Sequence, residues 1–225
     1  MLDKLISHEA DLFFSINGTR NCFLDSMMWL YSGMKIWMPL AVFFIFMLMY
    51  KKNWQKWLPV LLAIVLVFAC CDLFSSHLIK PLFQRARPTH YPDIMEHVKI
   101  LYGYTGGQYG FISGHATNSF GFAMFTALLF RNKSYSIFIF IWAFIMVYSR
   151  IYLGVHFISD VVGGIVAGLL IGFGVYKLYI RAVRKLQFAG EACYAKGEIN
   201  VLTLVSVFYI LLFSVLGEVL ILFLK

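Results

Sequence analysis

Residues 135–179 read YSIFIFIWAFIMVYSRIYLGVHFISDVVGGIVAGLLIGFGVYKLY and carry formal charge only at Arg150, Asp160 and Lys177. Two apolar runs, 135–154 and 157–179, meet at Val155 and His156. Each has the roughly 17 to 25 residues that an α-helix needs to cross the hydrocarbon of a bilayer. A backbone in hydrocarbon must satisfy its own hydrogen bonds, so runs of this kind predict helices. Ser149, Arg150, His156 and Asp160 crowd around the junction, at one membrane boundary.

The same length test finds further candidate spans at 33–50, 57–79, 113–130 and 201–224. The expected fold is an all-α, polytopic membrane helical bundle of about six transmembrane helices, occupying 33–225 as one domain with both termini on one side. Composition agrees, because 61% of the chain is hydrophobic and 13% charged, too little polar surface to cover a soluble domain. Residues 1–32 mix Leu5, Leu12, Phe13, Phe14 and Ile16 with polar side chains. They are expected to form an interfacial helix followed by a turn at Asn17-Gly18. His8, Glu9 and Asp11 precede any long apolar run, unlike a cleavable signal peptide.

The formal charge of +8 is spread between apolar segments rather than gathered in one tract, so it marks topology and not nucleic-acid binding. Cys22, Cys70, Cys71 and Cys193 lack metal-ligand spacing. No metal and no cofactor are expected.

Three polar clusters fall on the same predicted face. The first is Lys80-Pro-Leu-Phe-Gln-Arg85-Ala-Arg87-Pro88, the second Ser113-Gly114-His115, the third Ser149-Arg150 with His156 and Asp160. A phosphate ester concentrates negative charge, which guanidinium forks bind bidentately and a lysine meets as a point charge. Lys80, Arg87 and Arg150 suit that task. Ser113 and Gly114 would open a helix, whose free N–H groups and dipole favour an anion. On a helix His156 and Asp160, four apart, lie one turn from each other, so the carboxylate can hold one ring nitrogen protonated and leave the other free to attack.

These clusters resemble the three motifs of the type 2 phosphatidic acid phosphatase family: Lys-x6-Arg-Pro, Pro-Ser-Gly-His and Ser-Arg-x5-His-x3-Asp. Lys80 to Pro88 fits the first, Ser149, Arg150, His156 and Asp160 fit the third, and the second departs only at Ile112, which stands where the family has proline. The resemblance implies a membrane lipid phosphatase with His156 as nucleophile, a phosphohistidine intermediate, and His115 as the acid that protonates the leaving group and later activates water. The cations and helix dipole would stabilise the phosphoryl oxygens without a metal. Ser149, Arg85 and Asp72 are possible supporting residues: Arg85 could meet substrate or a headgroup, and Asp72 is a carboxylate within an apolar segment.

With Lys80, Arg87 and Arg150 set aside for the ligand, the opposite loops hold more Lys and Arg. That bias predicts a bacterial inner-membrane protein whose site faces the periplasm or exterior. It makes undecaprenyl diphosphate the first expected substrate, ahead of lipid A and phosphatidylglycerophosphate. A lipid or anion transporter would explain the cations but not two histidines and a carboxylate. Vanadium haloperoxidases share the motif set but are soluble. Gly164, Gly168 and Gly172 repeat every fourth residue and predict close approach of another helix.

Overall fold

A computed structural model describes residues 2–185 and 194–224, and Cys193 lies outside them. The chain folds into α1 (Leu2–Gly18), α2 (Cys22–Ser32), α3 (Met38–Met49), α4 (Trp54–Asp72), α5 (Lys80–Phe83), α6 (Gly114–Phe130), α7 (Lys133–Tyr152), α8 (Ile158–Lys185), α9 (Lys196–Val215) and α10 (Gly217–Leu224). Between α4 and α5 the helix continues as a π-helical stretch, Leu73–Ile79, so one rod runs from Trp54 to Phe83.

That rod, α7, α8 and α9 are long and apolar enough to cross a bilayer. α2 with the stretch Lys35–Met49 makes a fifth candidate, bent by 74°. The protein is an all-α polytopic membrane bundle, with four or five candidate spans by this measure where six are expected from sequence. The difference has two sources. The apolar run 33–50 does not form one straight rod: Gly33 ends α2, a 3-10 turn covers Lys35–Trp37, and Pro39 opens α3, whose 12 residues reach only about 18 Å. α6 has 17 residues, at the short limit of a span, and sits inside the bundle against α4, α7 and α8.

Apolar side chains face outward along the long helices, among them Leu62, Phe144, Leu170 and Phe208. Small residues face inward. A β-carbon added at Gly164, Gly168 or Gly172 of α8 would stand 2.7, 2.4 or 2.4 Å from the backbone oxygens of Ser113, which caps α6, or of Thr117 or Gly121 on α6. The glycine repeat therefore lets α6 and α8 touch backbone to backbone, the closeness by which helices associate in lipid.

α1 ends at Gly18, and α2 follows it. Phe13 of α1 is fully buried, its ring 5.6 Å from that of Phe157. Asn17, also fully buried, donates to the carbonyls of Tyr152 and Lys99 and accepts from Lys99 N–H. The N-terminal helices thus dock on the end of the bundle where the polar motifs gather.

Candidate active site

Four chain segments converge at that end. The loop after α5 is pinned by Arg87 N–H to Gln108 O and Gly110 N–H to Arg85 O, a single antiparallel bridge. The start of α6 is fixed to the start of α8 by Ser113 N–H to Asp160 O, 2.9 Å. Ser113 caps α6, its hydroxyl accepting from Ala116 N–H, so the N–H groups after it open toward the site. Lys80 stands over this helix start: its Nζ lies 4.0 Å from where a Gly114 side chain would begin.

His156 sits on the short connection between α7 and α8, with 1% of its surface exposed. Its Nδ1 lies 3.4 Å from Asp160 Oδ2 and its Nε2 lies 3.3 Å from Arg87 Nη1. A neutral ring fits this best: Nδ1–H donates to the carboxylate, and the Nε2 lone pair points among the cations. Burial first, then the charges of Arg87, Arg150 and Lys80, hold the His156 imidazolium pKa well below its ordinary value. Burial also lowers the Arg87 pKa, with Arg150 beside it adding to the effect. A guanidinium starts so far above neutrality that Arg87 stays charged.

Arg87 is aimed by its own hydrogen bonds, Nε to Tyr109 O at 3.2 Å and Nη1 to Val155 O at 3.3 Å. Gly106 has φ of +71°, and a β-carbon there would meet Arg87 Nη1 at 2.6 Å, so glycine makes room for the fork. Arg150 is 2% exposed and donates to the Ser32 and Tyr104 hydroxyls. Its Nε has no hydrogen-bond partner among the described residues, a buried donor that a ligand oxygen would satisfy. His115 lies in the first turn of α6, with the Ser32 backbone within hydrogen-bonding reach.

Lys80, Arg87, Arg150 and His115 all lie close enough to His156 to act on its charge, and Ser113 and Gly114 stand at the start of the helix that carries His115. The three supporting candidates fare differently. Arg85 is buried between Asp160 at 2.9 Å and Glu9 at 2.5 Å, with its guanidinium over the Phe157 ring. Asp72 is more than half exposed and pairs with Ser76 and His77, apart from the histidine pair. The Ser149 hydroxyl is buried on the Met146 carbonyl of its own helix.

Glu9 joins the site although nothing in its sequence surroundings ties it to the motifs. This α1 carboxylate accepts from Arg85, from Ser159 N–H and from the Ser159 hydroxyl. A line of alternating charge runs Glu9, Arg85, Asp160 and ends on the neutral ring of His156, each member holding the next. Asp160 is held further by Phe157 N–H at 3.0 Å. Ser32 and Tyr104 join it as well; no spacing rule connects any of the three to the motifs.

Cations at a helix start, beside a buried neutral histidine oriented by a carboxylate at one end of an all-α membrane bundle, fit a membrane lipid phosphatase. The chain belongs to the PAP2 superfamily, whose family model matches residues 58–184. It is 38% identical over 192 residues to a lipid A 4'-phosphatase of Porphyromonas gingivalis, covering 85% of this chain and 80% of that protein. A lipid A 4'-phosphatase of Bacteroides thetaiotaomicron is 36% identical over 183 residues, 81% of this chain and 80% of the relative. Two solved structures share the fold at 26% identity. The Aquifex aeolicus LpxE crystal structure matches with a TM-score of 0.57 over 75% of this chain and 94% of that one. The PAP2-type phosphatidylglycerolphosphate phosphatase of Bacillus subtilis matches with 0.60 over 78% and 86%.

Proposed function

We propose that this phosphatase removes a phosphate monoester from lipid A, at the outer face of a bacterial inner membrane, through a phosphohistidine at His156. The observation that carries the mechanism is the orientation of His156, Nδ1 held by Asp160 and Nε2 turned toward Arg87 among the cations. The two curated relatives named as lipid A 4'-phosphatases favour lipid A over undecaprenyl diphosphate, the substrate first expected from topology.

The chemistry runs in two displacements. Phosphoryl oxygens take the Arg87, Arg150 and Lys80 donors and the N–H groups at the α6 start, which draws the Arg87 fork off the Nε2 lone pair. Nε2 attacks phosphorus as the ester P–O bond breaks, and His115, which takes up a proton when the phosphate's negative charge enters beside it, gives that proton to the departing sugar oxygen. Asp160 stabilises the positive charge that develops on the ring. A water then attacks the phosphohistidine, His115 takes its proton, and the P–N bond breaks to release inorganic phosphate and neutral His156.

The test is phosphate release in detergent from lipid A, phosphatidylglycerophosphate and undecaprenyl diphosphate by wild type and His156→Ala, with acid-labile, base-stable phosphate on the protein as the signature of the intermediate. The expected result is preference for lipid A and a loss of at least about a thousandfold in the variant. Preference for undecaprenyl diphosphate would overturn the substrate, and turnover by His156→Ala would overturn the nucleophile.

A further inference from the structure

Beside Arg150 the elbow between α2 and α3 encloses a cleft of about 380 Å³, within the usual range of small-molecule pockets. Its lining includes Trp29, Ser32, Lys35 and Tyr104. Two of these four are the residues that hold Arg150: the Ser32 hydroxyl on Nη1 and the Tyr104 hydroxyl on Nη2, 2.9 Å. The cleft and the phosphate cradle are therefore contiguous through one guanidinium. Whatever a bound phosphate is esterified to has this cleft as its neighbour.

The lining is specific in kind. Trp29 meets Tyr104 and Tyr102 edge to face, at 5.7 and 5.3 Å between ring centres, so its indole is braced rather than free. Trp29 and Tyr104 are both partly exposed, and Lys35 is exposed at the rim. A braced aromatic wall, two hydroxyls and a cation match a pyranose, which offers an apolar C–H face to a ring and polar substituents at its edge. A glycerol arm is thin and flexible and has no face to lay on an indole. An acyl chain would leave Lys35 and the donor capacity of the two hydroxyls unused.

We infer that this cleft is a sugar subsite: Trp29 stacks on the glucosamine ring that bears the scissile phosphate, and Lys35 meets an anionic or carbonyl substituent of the same lipid. The subsite rests on the lipid A reading above and deepens it, since it gives this chain a means of distinguishing a glycolipid phosphate from a glycerolipid phosphate.

The experiment measures kcat and KM for detergent-solubilised lipid A and for phosphatidylglycerophosphate, using wild type, Trp29→Leu, Trp29→Phe and Lys35→Ala. Trp29→Leu is expected to raise KM for lipid A about tenfold with kcat within about twofold and with phosphatidylglycerophosphate unaffected. Trp29→Phe is expected to restore most of the difference, and Lys35→Ala to raise KM for lipid A alone. If wild type shows no preference for lipid A, the substrate assignment falls and the subsite with it. If wild type prefers lipid A but Lys35→Ala and Trp29→Leu change neither KM, or change both substrates alike, the subsite alone is overturned.

Discussion

At the scale of single residues the site is a chain of constraints ending on one ring. Glu9 touches nothing that reacts, yet it fixes Arg85, which fixes Asp160, which sets the tautomer of His156. Glu9→Gln is expected to lower kcat about ten- to a hundredfold by letting the imidazole drift, with KM within twofold and partial recovery in Glu9→Asp. Steady-state kinetics on lipid A would check it. A second expectation concerns protons. The folded pKa of His156 is depressed, so the ring stays neutral in the native state while the unfolded chain takes up a proton near pH 6.5. Stability is therefore lost as pH falls below about 6.5, by about 1.4 kcal/mol per pH unit from this residue until the folded pKa is reached. Thermal unfolding at pH 7 and 5 should show wild type losing its lead over His156→Gln, whose amide does not titrate. The motif residues were readable beforehand because phosphate chemistry demands their types and spacing. Glu9 was not, because the bond from position 9 to position 159 exists only once the helices have packed, and a partly buried carboxylate in a mixed segment looks like any surface acid.

At the scale of elements the α6–α8 contact carries the second motif to the third. Gly168→Ala would place a methyl 2.4 Å from Thr117 O, so α6 must move away from α8. The expected cost is about 1–3 kcal/mol of stability, with activity falling alongside as Ser113 and Gly114 shift from the phosphate. Gly174 on the same helix has nothing within 4 Å of an added β-carbon, and Gly174→Ala should match or slightly exceed wild type. Detergent melting curves of the two variants would separate packing from helix propensity. The four-residue glycine period announced this contact in the sequence, because only a bare backbone permits it. The elbow between α2 and α3 was not announced. Hydropathy reads 33–50 as one unbroken run, whereas the chain turns at Gly33 and starts again at Pro39, a matter of backbone geometry that apolar content does not record.

At the scale of the whole molecule the bilayer acts as solvent, and the polar motifs gather at one end of the bundle. The connections 51–53 and 131–132 lie at the opposite end of the bundle from 84–113 and 153–157. If the motif end faces outward, then in a Cys22→Ser background a cysteine at Asp93, exposed in the long loop, should react with a membrane-impermeant maleimide in spheroplasts, and one at Lys51 only after lysis. The reverse pattern would place hydrolysis on the cytoplasmic side. The all-helical bundle was legible because membrane solvation writes itself into long apolar runs. By length and apolar content four or five helices qualify as spans, and α6, expected from the run 113–130, is one residue short of that measure because its neighbours shelter it.

The family-matched stretch begins at residue 58, whereas Glu9, Asn17 and Ser32 come from before it. The bracing of the motif residues in this chain is thus not a portable cassette. A chimera grafting residues 58–184 onto a foreign amino-terminal segment would inherit every motif and still leave Arg85 facing an empty seat, Arg150 without its serine hydroxyl, and the Tyr152 carbonyl unclasped. A graft that keeps this bracing carries the leading helices together with the motifs they hold.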